Sequence, residues 1–378
     1  MVLYWVWMSR LAMSDREKLA VVAHFGNAED AYYAGDVQGI SGLSQAAYLA
    51  LQEKSLEEAE RIISVCAEKR IRILTWQEPD YPQRLRTIAD PPLVLYVRGE
   101  LPDFENRAAI GVVGTRKASV YGLRTARRLG GELAACGGLV VSGMAAGIDA
   151  EATEGALSKG CPAVGVLDCG VDMVYPAVNR PLFRKMERQG CLISEFVPGT
   201  PALKWNFPKR NRIISGLSDG VLVVEAPRSS GALITAHRAL EQGRDVFVVP
   251  GNVDVASCEG SNALLKDGAS MAGSGWDVLS EYAAIYPDSL QNGTKEGENR
   301  LSNEERIDIS QELEYSDQEN GNDETETAIL GALAAGQMHV DALSEVTGLS
   351  AGQLLGVLTV MEINGQILTL PGGWVSKS

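Results

Sequence analysis

Two stretches of the chain combine residue types that suit an anionic, base-bearing ligand. The first, Val113-Gly114-Thr115-Arg116-Lys117, follows a short apolar run and precedes a helical pattern that begins near Val120. A glycine there permits close backbone approach, two cations supply charge, and a helix N-terminus directs free amides outward; all three favour a phosphate. The competing reading of Arg116 is a surface salt bridge. The second stretch, Lys204-Trp205-Asn206-Phe207-Pro208-Lys209-Arg210-Asn211-Arg212, mixes four cations with two aromatic rings. Such a mixture holds single-stranded nucleic acid, because cations track the backbone while a ring stacks on a splayed base. Its bland alternative makes Phe207 a core staple and Arg210 and Arg212 internal ion-pair partners. Ser229-Ser230-Gly231-Ala232 opens a further helix, either as a second anion nest or as an ordinary N-cap.

Other chemistries find no support. A phosphate loop of the Walker type needs Gly-Lys followed by Ser or Thr, and no Gly-Lys dipeptide occurs. Gly111-Val112-Val113-Gly114 is not the dinucleotide fingerprint, and the next strand ends in Ser142-Gly143 rather than in an acid for a ribose hydroxyl. Asp149 and Glu225 fall at strand ends without a matched carboxylate or a nucleophile-His pair, so Asp149 is expected to cap a helix and Glu225 to hold an arginine. The six cysteines form no CxxC pair and the three histidines do not cluster with them, which points to buried thiols in a reducing compartment. No catalytic residue, metal or cofactor is expected.

The net charge of -15 opposes nucleic acid only until it is divided along the chain. Residues 288–326 carry 13 acidic and 3 basic side chains, which leaves residues 1–287 at -3. Within that body, Arg107 to Arg128 holds six basic residues and no acid (Arg107, Arg116, Lys117, Arg124, Arg127, Arg128). Binding follows local potential rather than the sum. No uncharged apolar run reaches about 18 residues, and Met1 to Met8 lacks a basic leader and a cleavage site, so a cytoplasmic protein without a membrane span is expected.

The elements that must position these loops follow from periodicity. Residues 1–70 read as a small helical domain, with helices at Asp15–His24, Ala28–Tyr33, Leu43–Leu51 and Leu56–Glu68. Two short strands, Ile71–Trp76 and Leu93–Val97, lead into a segment that alternates Val/Ile/Leu-rich strands with helices. That alternation predicts an α/β fold, a Rossmann-like doubly wound and mostly parallel sheet spanning 71–286, with ligands at the strand C-termini. Residues 287–325 are polar and acidic and read as a disordered linker. Residues 326–378 show helix, helix-turn-helix and a closing ribbon, the order of a winged helix. Its recognition stretch, Ser350 to Val360, has no Lys or Arg, so protein contact suits it better than groove reading.

Taken in order, Val113-Gly114-Thr115-Arg116, Ser142-Gly143-Met144-Ala145-Ala146-Gly147-Ile148-Asp149, Phe207-Pro208-Lys209-Arg210-Asn211-Arg212-Ile213-Ile214 and Ser230-Gly231-Ala232-Leu233-Ile234-Thr235-Ala236 resemble the DprA/Smf family of DNA-processing proteins. The resemblance implies a protein that binds incoming single-stranded DNA during natural transformation, protects it and loads the recombinase RecA onto it, without catalysis. It further implies a homodimer formed through the Rossmann-like domain, single-strand-binding protein as a further partner, a sterile-alpha-motif-like N-terminal domain and a C-terminal winged helix. By position it assigns the DNA pocket to Arg116, Lys204, Phe207, Arg210, Asn211 and Arg212, with Ser142, Gly143 and Gly231 expected to supply backbone amides and Gly114, Thr115, Lys117 and Ser230 expected to contact the strand from the same loops. One departure stands out: the family usually has a histidine where this chain has Thr153. Enzymes and molybdenum-cofactor carriers of the same superfamily carry a PGGxGTxxE run that is absent here.

Overall fold

The structure is a computed structural model that describes residues 1–35, 39–292, 322–334, 336–349, 354, 357–358, 361–362, 366–370 and 372–377. Two compact units divide the chain, residues 1–295 and 296–378. The first opens with helices α1 (Val2–Arg10), α2 (Asp15–Phe25), α3 (Ala28–Tyr33), α4 (Gln45–Leu51) and α5 (Glu57–Glu68). Helix α1 departs from the periodicity reading, which starts the helices at Asp15. Its sequence VLYWVWMSR is apolar on nearly every side, so no amphipathic period betrays it, and Trp5 to Met8 are all buried.

From there the chain alternates: β1 (Arg72–Thr75), α6 (Gln83–Arg86), β2 (Val94–Gly99), β3 (Ala109–Val113), α7 (Val120–Ala135), β4 (Leu139–Ser142), α8 (Ile148–Ser158), β5 (Ala163–Val166), α9 (Arg180–Gln189), β6 (Cys191–Ser194), α10 (Asn206–Leu217), β7 (Gly220–Val223), α11 (Gly231–Glu241), β8 (Asp245–Val248), α12 (Glu259–Lys266), β9 (Ser270–Met271) and α13 (Gly275–Leu279). The strands form one nine-stranded sheet in the order β1-β2-β6-β5-β4-β3-β7-β8-β9. From β6 to β9 all neighbours are parallel; β1 and β2 extend the β6 edge antiparallel. Strands β3 to β7 are buried throughout because both faces are covered. Ile110 and Val112 of β3 belong to one apolar cluster with α7, α8, α9 and the N-terminal helices, while Ala109 and Val113 belong to another with α10 and α11. The five N-terminal helices therefore share one apolar core with the sheet.

Strand order reverses between β3 and β7, and open sheets of this kind bind ligands at such a point, beyond the strand C-termini. The first unit continues past the expected start of the linker: Leu290 is buried and the Gln291 amide donates to the Cys136 carbonyl at 3.0 Å. The acidic segment from 293 to 321 lies outside the described residues.

The second unit contains α14 (Asn322–Leu333), β10 (Met338–His339), α15 (Val340–Thr347), β11 (Ile367–Leu370) and β12 (Trp374–Lys377). Its strands pair antiparallel in the order β10-β12-β11. Ile329, Leu333, Leu343, Leu354, Leu358, Met361, Ile367 and Val375 close its core. Most of the stretch Ser350 to Val360 lies outside the described residues.

Candidate nucleic-acid interface

A cleft of about 520 Å³ opens at the strand reversal. The loop after β3 lines it with Gly114, Thr115, Arg116 and Lys117, the start of α10 with Phe207, Arg210 and Asn211, and the start of α11 with Ser230 and Gly231. Nine of the thirteen residues singled out in the sequence thus meet in one place. Pro227, Ala256 and Ser257 also line it. Periodicity and composition gave no signal for Ala256 and Ser257, which lie beyond β8 and reach the cleft only through the fold.

Two kinds of cation occupy this region. Arg116, Lys117, Lys204 and Lys209 are exposed, and among the described residues none of them makes an ion pair. The Arg116 guanidinium lies 4.6 Å from the centroid of the Phe207 ring, a cation–π contact that holds both side chains at the mouth. Phe207 also packs against Tyr175, with ring centroids 6.3 Å apart. Trp205 is 67% exposed beside them. Lys204 stands on the same loop but outside the cleft lining.

Arg210 and Arg212 are of the other kind. Buried Arg210 donates to the carbonyls of Gly143 and Val166 and to Asn211 Oδ1, and its guanidinium lies 3.7 Å from Asp168. Burial pushes its pKa down, with Asp168 and Asp149 opposing. It underpins the cleft floor by tying the ends of β4 and β5 together. Arg212 faces away from the cleft into a cage of carboxylates: Glu195 at 2.5 Å, Asp15 at 3.0 Å and Asp90 at 3.4 Å. Burial would lower its pKa, but those three charges outweigh it and raise the value. Its contacts join α10 to α2.

The backbone donors expected from the sequence are arranged differently. Ser142 is fully buried and its hydroxyl donates to the Val112 carbonyl at 2.8 Å. The Gly143 amide donates to Asp149 Oδ2 at 3.1 Å, so it is turned inward. Asp149 therefore braces the loop after β4, and burial raises its pKa against the pull of Arg210. At α7 the helix N-terminus is already occupied. The Glu225 carboxylate accepts from the Ser119 amide and, at 2.7 Å, from the Ser119 hydroxyl. Glu225 thus caps a helix rather than holding an arginine, and the amides near Val120 face a resident carboxylate. Gly114 earns its small size from the chain itself, since a Cβ there would meet Ile148 at 2.5 Å. At the start of α11 the situation is open: a Cβ on Gly231 would meet nothing within 4 Å, and Ser230 caps the helix by accepting from the Ala232 amide. Thr153 is fully buried in α8, where its hydroxyl donates to the Asp149 carbonyl at 2.8 Å.

The family profile described as DNA recombination-mediator protein A matches residues 72–283, more than half of the chain and every strand of the large sheet. This chain belongs to the DprA/Smf family. The profile described as the DprA winged helix domain matches residues 315–373, and the C-terminal unit is a winged helix. Protein Smf of Synechocystis is 33% identical over 98% of this chain and 97% of its own. DNA processing protein DprA of Bacillus subtilis is 38% identical over 61% of this chain and 77% of its own. Among solved structures, DprA of Streptococcus pneumoniae superposes with a TM-score of 0.63 at 31% identity, covering 74% of this chain and 96% of that one. DNA processing protein A of Helicobacter pylori, described for its single-stranded DNA binding mode, superposes with a TM-score of 0.52 at 28% identity, covering 57% and 97%. Among the described residues, no helix of this DprA/Smf member is long and apolar enough to cross a membrane.

Proposed function

We propose that this protein binds single-stranded DNA in the cleft between the β3 loop, α10 and α11, and hands it to RecA. The observation that carries the reading is the pair of unpaired cations lining the cleft, Arg116 and Lys117, with the Arg116 guanidinium over the half-buried ring of Phe207 and that ring packed against exposed Tyr175. Cations of this kind neutralise phosphates, and the rings accept unstacked bases, which a duplex does not present. The H. pylori relative's DNA-binding description supports it. Arg116 and Phe207 make the central contacts, with Thr115, Lys117, Asn211, Ser230 and Gly231 lining the strand's path. Arg210, Arg212, Ser142 and Gly143 act beneath the surface as positioning residues.

The role is binding without bond making or breaking, in the cytoplasm, protecting the strand and loading RecA during transformation and recombination. A homodimer through the sheet domain and contact with single-strand-binding protein belong to the same proposal. So does the division into a helical segment to residue 70, a sheet domain that runs on to 292 rather than ending at 286, a linker and the winged helix. The test is RecA filament assembly on single strands pre-coated with single-strand-binding protein. Addition of this protein should accelerate assembly, and the Phe207→Ala variant should not; no acceleration by the wild type would contradict the RecA role.

A further inference from the structure

One face of α9 carries Arg180, Arg184 and Arg188, spaced four residues apart and all exposed. Among the described residues none of the three makes an ion pair. The helix has one acid, Glu187, and it is drawn aside to Arg98 of β2 at 3.2 Å; Lys185 is likewise engaged by Glu154 of α8. The row therefore faces solvent uncompensated.

Helix energetics account only for Arg188, which sits in the last turn, where cations are favoured. Arg180 opens the helix at the positive end of the dipole, where acids are favoured. Like charges at i,i+4 repel, at a cost of roughly 0.2–0.5 kcal/mol per pair. A ligand with regularly spaced negative charge reverses both penalties. At 1.5 Å rise per residue the row extends about 12 Å, with about 6 Å between successive arginines.

The row is also tied to the cleft through the loop that precedes it. The loop that leads into α9 carries Tyr175, whose ring packs against Phe207, followed by Val178 with 73% exposure. Asn179, just before the helix, donates from its side-chain Nδ2 to the Met144 carbonyl at 2.9 Å, which fixes the helix start to the loop after β4.

We infer that α9 is a second track for the same strand: single-stranded DNA leaves the cleft over Tyr175 and runs its phosphates along Arg180, Arg184 and Arg188. The inference rests on the single-strand reading of the cleft. It assigns to α9 a length-dependent share of affinity, carried by charge and indifferent to base sequence.

The experiment compares the wild type with the triple variant Arg180→Gln, Arg184→Gln, Arg188→Gln on oligo-dT of about six and about twenty nucleotides, one within and one beyond the roughly 4–16 nucleotides of a single-strand site, across a salt series. The triple variant should bind the short strand as the wild type does. It should bind the long strand more weakly, with the slope of log affinity against log salt smaller by about 2, since each lost phosphate contact removes about 0.7. The matching triple Arg→Lys variant should restore long-strand binding, because a phosphate track needs charge rather than the guanidinium fork. Equal long-strand binding and slope in wild type and Gln variant would overturn the inference and leave the row to an acidic protein surface. Equal loss on both lengths would also overturn it, since the row would then act through the cleft. Failure of the wild type to bind either strand would instead refute the cleft reading.

Discussion

At the scale of the residue, the FPKRNR block divides its cations by burial. Lys209 is exposed, whereas Arg210 and Arg212 are 4% exposed and spend their donors inside the protein. Residue type alone could not separate them, because four cations in nine residues look alike until the helical turn of α10 sends some outward and others inward. Arg212 holds Glu195, whose pKa is raised by burial with Arg212 pulling against it. Removing one member of a buried pair strands the other, at a cost of about 3–5 kcal/mol. Arg212→Ala should therefore lower the unfolding free energy measured by urea titration by that much. Under conditions where the variant remains folded, its affinity for single strands should stay close to wild type. A stable variant that has lost DNA binding would move Arg212 from the frame to the contact surface. The Arg116 loop was better read in advance, because a glycine and two cations after a buried strand leave the cations only one place to go.

At the scale of the element, helices and strands were legible where a period existed. The parallel strands read as short Val/Ile/Leu runs, and the crossover helices between them as 3.6-residue patterns. Helix α1 was not legible, since a helix buried nearly all round has no polar face. Nor did the sequence disclose that Glu225 fills the α7 N-terminus, because the carboxylate comes from beyond a strand more than a hundred residues away. A more local cap carries a pH signature. Glu17 accepts from Ser44, at the start of α4, and closes the capping box of Ser14, at the start of α2. Hydrogen bonds from Ser44 and then Ser14 bring its pKa from 4.5 down to about 2. A depressed carboxyl stabilises the folded chain fully above the unfolded value near 4.5, and that contribution fades as pH falls toward 2. Thermal melts should show Glu17→Gln less stable than wild type at pH 6, with the gap closing below pH 4.5. A gap that stays constant down to pH 3 would mean that the contact is not carboxylate in character.

At the scale of the molecule, the fold does the gathering. Loops separated by about ninety residues, after β3 and before α10, converge because strand order reverses between β3 and β7. The overall charge of -15 concealed this, since 13 of the acids fall in residues 288–326 of the sequence while Arg116 and Lys117 line the cleft without an ion pair among the described residues. The most direct test of the account is fluorescence anisotropy of labelled oligo-dT and of a matching duplex, titrated with wild type and Arg116→Ala across a salt series. The account predicts tight, salt-sensitive binding of the single strand over the duplex, with the variant weaker at every base sequence and its salt slope reduced by about 0.7. Equal binding of the single strand by both proteins, or a preference for the duplex, would contradict it.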